Sequence, residues 1–275
     1  MFISDSTDLM PFIPNAVAPA MGDRTYFDKL APYVTEAEQW LSTLVCSEEQ
    51  AGADTILRAS LREAVATHAL YTALPMLDIV ITPNGVATVG GGESQTFVPA
   101  STARTESARA SLLQRRDRAL SSAIALLRRR ADWRESEQGR WWGSTLFPEL
   151  GWPLAIDDRE QVSLAVYLNR RPKVEDIETR LTDDWIGRPL MERLRRSLQL
   201  GSLSTPERDL ATRLREEVLH CIRHDVPPRY DRMRSVINLI RSDRTLDIDW
   251  VNTPAADNFR LPAFVNDRMA GGYFM

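Results

Sequence analysis

Apolar residues return at steps of three and four along most of this chain, a spacing that puts them on one face of an α-helix. Leu30, Val34, Ala37, Leu41 and Leu44 form one such stripe, in a helix expected over about 23–45. Pro32 sits early in that helix, where it is tolerated, or marks its true start. Leu57, Leu61, Ala64, His68 and Tyr71 mark the core face of a second helix over 53–73, with Pro75 as its stop. The step then changes to two. Leu77 to Thr82, Pro83-Asn84-Gly85, and Val86 to Val89 read as a β-hairpin, because Asn-Gly supplies the positive φ values of a tight turn.

Helical spacing resumes afterwards. A long helix is expected over 101–130, capped by Ser101 or Thr102, with Leu113, Leu120, Ile124 and Leu127 along one side. Another is expected over 157–169. The stretch 173–196 reads as two short helices broken near Ile186-Gly187. Ser204-Thr205-Pro206-Glu207 is a capping-box start, Pro227-Pro228 ends the helix that follows, and a last helix spans 229–242. The expected fold is therefore mainly α, a helical bundle with one projecting β-hairpin and extended arms at both ends. A first helical domain, 1–135, carries the hairpin at about 77–89. A second, 155–275, follows a tryptophan- and glycine-rich connector at 136–154, beside Trp133 and containing Trp141, Trp142 and Trp152.

The ends carry the least pattern. Pro11, Pro14 and Pro19 remove backbone donors from the first two dozen residues, while Phe12, Ile13 and Val17 give that arm apolar surface to bury. The last thirty residues show no helical period, yet hold Trp250, Phe259, Phe264, Tyr273 and Phe274. So much aromatic surface is poorly explained as a solvated tail, so this segment is expected to bind something. Deleting 257–275 is expected to spare the fold and block assembly.

Charge and sulfur narrow the function classes. A net charge of −4 marks neither an acidic tail nor a dedicated nucleic-acid binder. No run approaches the roughly 18 apolar residues of a membrane span, and Met1-Phe2-Ile3-Ser4-Asp5 does not read as a secretion signal. Two cysteines in unrelated contexts suit a reducing cytoplasm during synthesis, not a disulfide framework or a zinc cluster. Among the 34 basic residues only Lys29 and Lys173 are lysine; the arginine excess fits either a GC-rich genome or interface chemistry.

No catalytic constellation can be drawn, so neither enzyme activity nor a cofactor is expected. His220 and His224 share a helix face, but nothing supplies further ligands, and no metal is expected. Cys46 has no histidine beside it in sequence, and Cys221 lies on a core-facing stripe. Gly90-Gly91-Gly92 is followed by no Gly-Lys-Ser/Thr, so it is not a phosphate loop. The tryptophans read as core and interface anchors, and Asp157-Asp158 and Asp183-Asp184 as helix caps. The helix over 104–130 bears Arg104, Arg109, Arg115, Arg116, Arg118, Arg128, Arg129 and Arg130 against Glu106 and Asp117. That basic stripe is expected to face a partner's carboxylates; the alternative is a DNA-binding protein using this helix.

The run Asp78 to Val89, then Val98-Pro99-Ala100-Ser101 with Arg104, Glu106 and Arg109, resembles an uncharacterised family encoded in phages and prophages of Bacteroidetes. Phe12-Ile13-Pro14, the helix from Tyr33 through Glu36, Glu38 and Leu41, and the stretch Tyr167 to Leu194 fit the same family more loosely. The sequence departs from it at Gly90 to Phe97 and in the tryptophan-rich segment. Members are similar to small helical head–tail connector proteins. The resemblance implies a virion structural protein, made in the host cytoplasm, that forms a homomeric ring between portal and tail or neck proteins. It also implies no membrane and, at most, non-specific contact with packaged DNA. The residues expected at its interfaces are Asn84 and Gly85 at the hairpin tip, Arg115 and Arg116, and Phe259, Phe264, Tyr273 and Phe274.

Overall fold

The structure is a computed structural model and describes residues 1–12, 26–77, 102–150 and 163–260, with the backbone alone for 79–82 and 85–88. It is mainly helical. The described residues fall into two compact units: those of Met1–Pro172 with Leu198–Gly201, and those of Lys173–Ser197 with Ser202–Met275.

The first unit opens with a short helix, α1 (Ser6–Leu9), whose first N–H groups are accepted by the Asp5 carboxylate. It continues through α2 (Tyr26–Leu44), α3 (Glu48–Ala51) and α4 (Thr55–Leu77). The backbone pairs β1 (Ile79–Thr82) and β2 (Gly85–Thr88) antiparallel, with Ile79 opposite Thr88 and Thr82 opposite Gly85. Then come α5 (Thr102–Leu127), α6 (Ala131–Glu135), α7 (Glu137–Gly143) and the first half of α8 (Leu164–Leu181). α4 packs most heavily on α5 and next on α2. Their facing stripes, including Leu30, Val34, Leu41, Leu57, Leu61 and Leu120, are fully buried. That burial drives the fold, at roughly 1.5–3 kcal/mol for each large apolar side chain.

Three expectations change here. α4 runs through Pro75 to Leu77 instead of stopping before it, and α8 runs through Pro172. The packed helix flanks outweigh the lost backbone bond at each proline. The first twelve residues are not an extended arm. Phe2 and Ile3 are buried, their N–H groups donate to Glu38 Oε1, and Leu9 is buried as well. Residues 13–25 lie outside the described part. Finally, the tryptophan-rich stretch as far as Leu150 belongs to the first unit's core, while Trp152 lies outside the described residues. Trp133 and Trp142 are buried, and their indole N–H groups donate to the carbonyls of Val45 (2.7 Å) and Leu44 (2.9 Å) at the end of α2. The division between units falls after Pro172, not at 136–154.

The second unit contains the remainder of α8, a π-helical turn at Thr182–Ile186, α9 (Arg188–Leu200) as far as Ser197, α10 (Thr205–His224) and α11 (Tyr230–Ser242). The short helices α12 (Arg244–Trp250) and α13 (Pro254–Asp257) close it. Gly187, at φ +77°, ends the π turn, and a Cβ there would lie 2.6 Å from the Thr253 side chain. Glycine is therefore needed both for the left-handed backbone and for the close approach of α13. Ser204 and Glu207 form the expected capping box. As far as Arg260, the C-terminal stretch packs on the second unit. Trp250, Ala255 and Ala256 are buried, and the Phe259 ring lies 5.2 Å from that of Trp185. Deleting from Asp257 would strip part of this packed end, including Phe259; Phe264, Tyr273 and Phe274 lie outside the described residues.

Arginine ion pairs brace each unit from within. In the second, the buried carboxylates of Glu178, Glu207 and Glu217 pair with Arg195, Arg193 and Arg229 at 2.8, 2.8 and 2.7 Å. Glu217 also accepts the Arg229 backbone N–H, which fixes the start of α11. At Glu217 the Arg229 guanidinium reaches both carboxylate oxygens at once, as lysine cannot.

Candidate functional site

Of the expected interface residues, Gly85 lies in β2 opposite Thr82, while Asn84, Phe264, Tyr273 and Phe274 lie outside the described residues. Phe259 is half-buried between Trp185 and Trp250. Arg115 and Arg116 are turned inward. Arg115 pairs with Glu63 at 3.0 Å and donates to the Phe12 carbonyl. Arg116 is buried, pairs with Asp117 at 2.7 Å and lies over the Trp40 ring. Arg128 binds Glu149 and the carbonyls of Leu198 and Gln199, and Arg130 ties Asp132 to the Ala51 carbonyl. Of the arginines over 104–130, Arg116 and Arg128 are buried, Arg109, Arg115 and Arg130 are part-buried and paired within the unit, and Arg104, Arg118 and Arg129 are exposed. Sequence alone does not reveal the engagement of Arg115 and Arg128, because Glu63 and the Leu198 and Gln199 carbonyls lie far away along the chain.

A groove of about 520 Å³ lies between α2, α7 and α8 in the first unit. Trp40, Thr43 and Leu44 form one side, Glu137, Gln138 and Trp141 another, and Leu168 the third. Both tryptophans are pinned from behind. His68 stacks on Trp40 with ring centroids 4.0 Å apart, and Arg116 lies 5.6 Å from the same ring. The Arg171 guanidinium covers Trp141 at 3.6 Å, while Trp142 meets it edge-on at 5.1 Å. Arg171 is itself held by the Tyr167 and Ser144 hydroxyls and the Trp141 carbonyl. The Tyr167 hydroxyl donates to the Phe147 carbonyl at 3.0 Å. Asp117 accepts the Leu164 N–H at 2.9 Å, which fixes the start of α8 and hence Leu168.

These walls need no rearrangement to receive a ligand, so binding there loses little conformational entropy. Their chemistry is that of an anchor pocket: broad apolar faces with one carboxylate, Glu137, at the rim. One polar group is unusual. Pro172 has no N–H to give the Leu168 carbonyl, so the backbone bond that a helix normally makes there is missing. Trp141 belongs to the cluster flagged in sequence. Trp40 and Leu168 were missed as site residues, because each sits at the edge of a stripe that reads as core.

His68 gives this wall a pH response. Burial, then the Arg116 charge, lowers its pKa to about 4. Between pH 6.5 and 4 the unfolded chain binds a proton that the folded chain refuses, so stability falls as pH drops through that window. The imidazole is only half-buried, so solvent screening limits the expected loss to about 2 kcal/mol. Urea denaturation at pH 7.5 and 4.5 checks this: His68→Gln should lose less stability on acidification than the unchanged chain by that amount, and an equal loss would refute it.

Other side chains offer less. Burial raises the Cys46 thiol pKa to about 12 and that of Cys221 to about 11, so neither is a ready nucleophile. The His220 and His224 rings lie 4.7 Å apart, but the described residues contain no group of three or more metal-ligating side chains. No helix among the described residues is long and apolar enough to cross a membrane.

Residues 17–141 match a family of unknown function, DUF6712. No curated protein and no solved structure matches the chain.

Proposed function

We propose that the chain is a structural assembly protein, and specifically a head–tail connector of a tailed phage that forms a homomeric ring between the portal and a tail or neck protein. The observation that carries the coarser reading is the preformed apolar groove of Trp40, Leu44, Trp141 and Leu168, a docking surface without attendant nucleophile–base chemistry. The finer reading rests on the likeness of the Asp78–Arg109 stretch to phage connector relatives. In such a ring each body presents two different faces to its neighbours. The two short strands at Ile79–Thr82 and Gly85–Thr88 would form a projecting finger in that setting, with Asn84 and Gly85 at its tip, and residues beyond Arg260 would form an arm that orders on assembly.

The DNA-binding alternative draws on the α5 arginines. Arg115, Arg116, Arg128 and Arg130 are engaged within the fold, which leaves that reading a shorter basic surface than the sequence suggests. Salt-sensitive affinity for duplex DNA would revive it. Electron microscopy of the purified chain, alone and mixed with portal protein, tests the main reading. Closed rings that sit on the portal are expected; failure to form rings in either sample would overturn it.

A further inference from the structure

The chain has three histidines, and two of them are neighbours in the second unit. His220 and His224 lie one helical turn apart on α10, so both side chains leave the same face. Their ring centres stand 4.7 Å apart, with His220 part-buried and His224 exposed. An imidazole nitrogen binds a zinc-like ion at about 2.0–2.1 Å, which sets the ion roughly 3.2 Å from the ring centre. Two such rings, about 90–110° apart around the ion, have centres separated by roughly 4.5–5.2 Å. The observed spacing falls inside that window, so the two rings can share one ion without any shift of the helix backbone.

We propose that His220 and His224 together bind one divalent transition-metal ion, with water in its remaining positions. The lack of a third ligating side chain among the described residues makes the site open and its affinity modest, but two imidazoles on one helix face already form a chelate. Imidazole suits Zn²⁺, Ni²⁺ or Cu²⁺, whereas Mg²⁺ and Ca²⁺ require oxygen ligands. The surrounding charge admits a cation. His224 is the last residue of α10, where the helix carbonyls present the negative end of their dipole. Exposed Glu216 lies one turn before His220 on the same face. The Arg229 charge that reaches His220 is paired with Glu217 at 2.7 Å, and Arg223 is exposed, so solvent weakens its repulsion. Asp225, beside His224, pairs with Lys173 at 2.6 Å and adds no net charge. Bound there, the ion staples the final turn of α10, shortly before Pro227-Pro228 redirects the chain into α11. The site depends neither on the groove nor on ring formation.

Calorimetric titration of the full-length chain with Zn²⁺ and with Ni²⁺ at pH 7.5, in a buffer that does not chelate, tests this. One ion per chain is expected, with no response to Mg²⁺. Affinity should fall roughly tenfold or more in His220→Gln and again in His224→Gln, since losing a ligand costs at least as much as losing a group that orients one. Cys221→Ser should bind as the unchanged chain does, because that thiol is buried on the core side of α10. Circular dichroism on each variant checks that helical content is kept. Folding holds the two rings together and unfolding separates them, so saturating Ni²⁺ should raise the urea midpoint of the unchanged chain. The double variant His220→Gln/His224→Gln should show no such rise. Binding that survives in a folded double variant would place the ion elsewhere, and a chain that takes up neither metal would have no site. Either result overturns the proposal.

Discussion

Gly139→Ala should unfold or severely loosen the first unit, with a loss of about 4 kcal/mol or more, beyond the usual overpacking range. Gly139 lies in α7 where the chain turns back over the end of α6. A Cβ there would fall far inside van der Waals contact with the Trp133 carbonyl oxygen and 2.8 Å from the Arg134 Cα. Both are backbone atoms, so no rotamer change relieves the overlap. The same carbonyl accepts the Ser136 N–H and hydroxyl, and the Ser136 hydroxyl in turn caps the Gly139 N–H, so the junction cannot open without losing its bonds. Gly143→Ala is the control within the same helix. There a Cβ meets the end of the Gln199 side chain at 2.6 Å, which can swing aside at the loss of its hydrogen bond to the Gly139 carbonyl, and the expected cost is about 1–2 kcal/mol. Equal midpoints for the two variants in urea denaturation would contradict this packing.

The second large effect is expected from Trp142→Ala, about 3–5 kcal/mol. Trp142 has no exposed surface, stacks on Tyr167 at 5.0 Å, meets Trp141 edge-on and donates to the Leu44 carbonyl. Its removal leaves a cavity behind the groove and a carbonyl without its indole donor. Trp142→Phe keeps most of the stacking and loses the hydrogen bond, so it should cost only about 1–2 kcal/mol. Unchanged thermal stability in Trp142→Ala would show that these tryptophans are not part of the core.

The helical stripes were legible because burial writes a period into sequence, as at Leu30, Val34, Ala37 and Leu41, all fully buried. Caps were legible where they are local: Ser204 and Glu207 lie three residues apart and satisfy each other. Prolines misled, since Pro75 and Pro172 lie inside helices whose tertiary contacts outweigh a missing bond. The glycines among the tryptophans suggested a connector, but Gly139 is small because a carbonyl passes close by. The arginine stripe was misread for a different reason. Arg115 finds Glu63 and Arg128 finds the Leu198 carbonyl across long stretches of chain, and no local pattern encodes such pairs. The groove shares that difficulty: Trp40, Trp141 and Leu168 come from three helices, and only folding brings them together.

Function in this account comes from assembly with other copies of the same chain. Light scattering on the purified full-length protein across a wide concentration range measures that directly. A discrete species several times the 31.1 kDa chain mass is the expected result. A monomer at every concentration would contradict it.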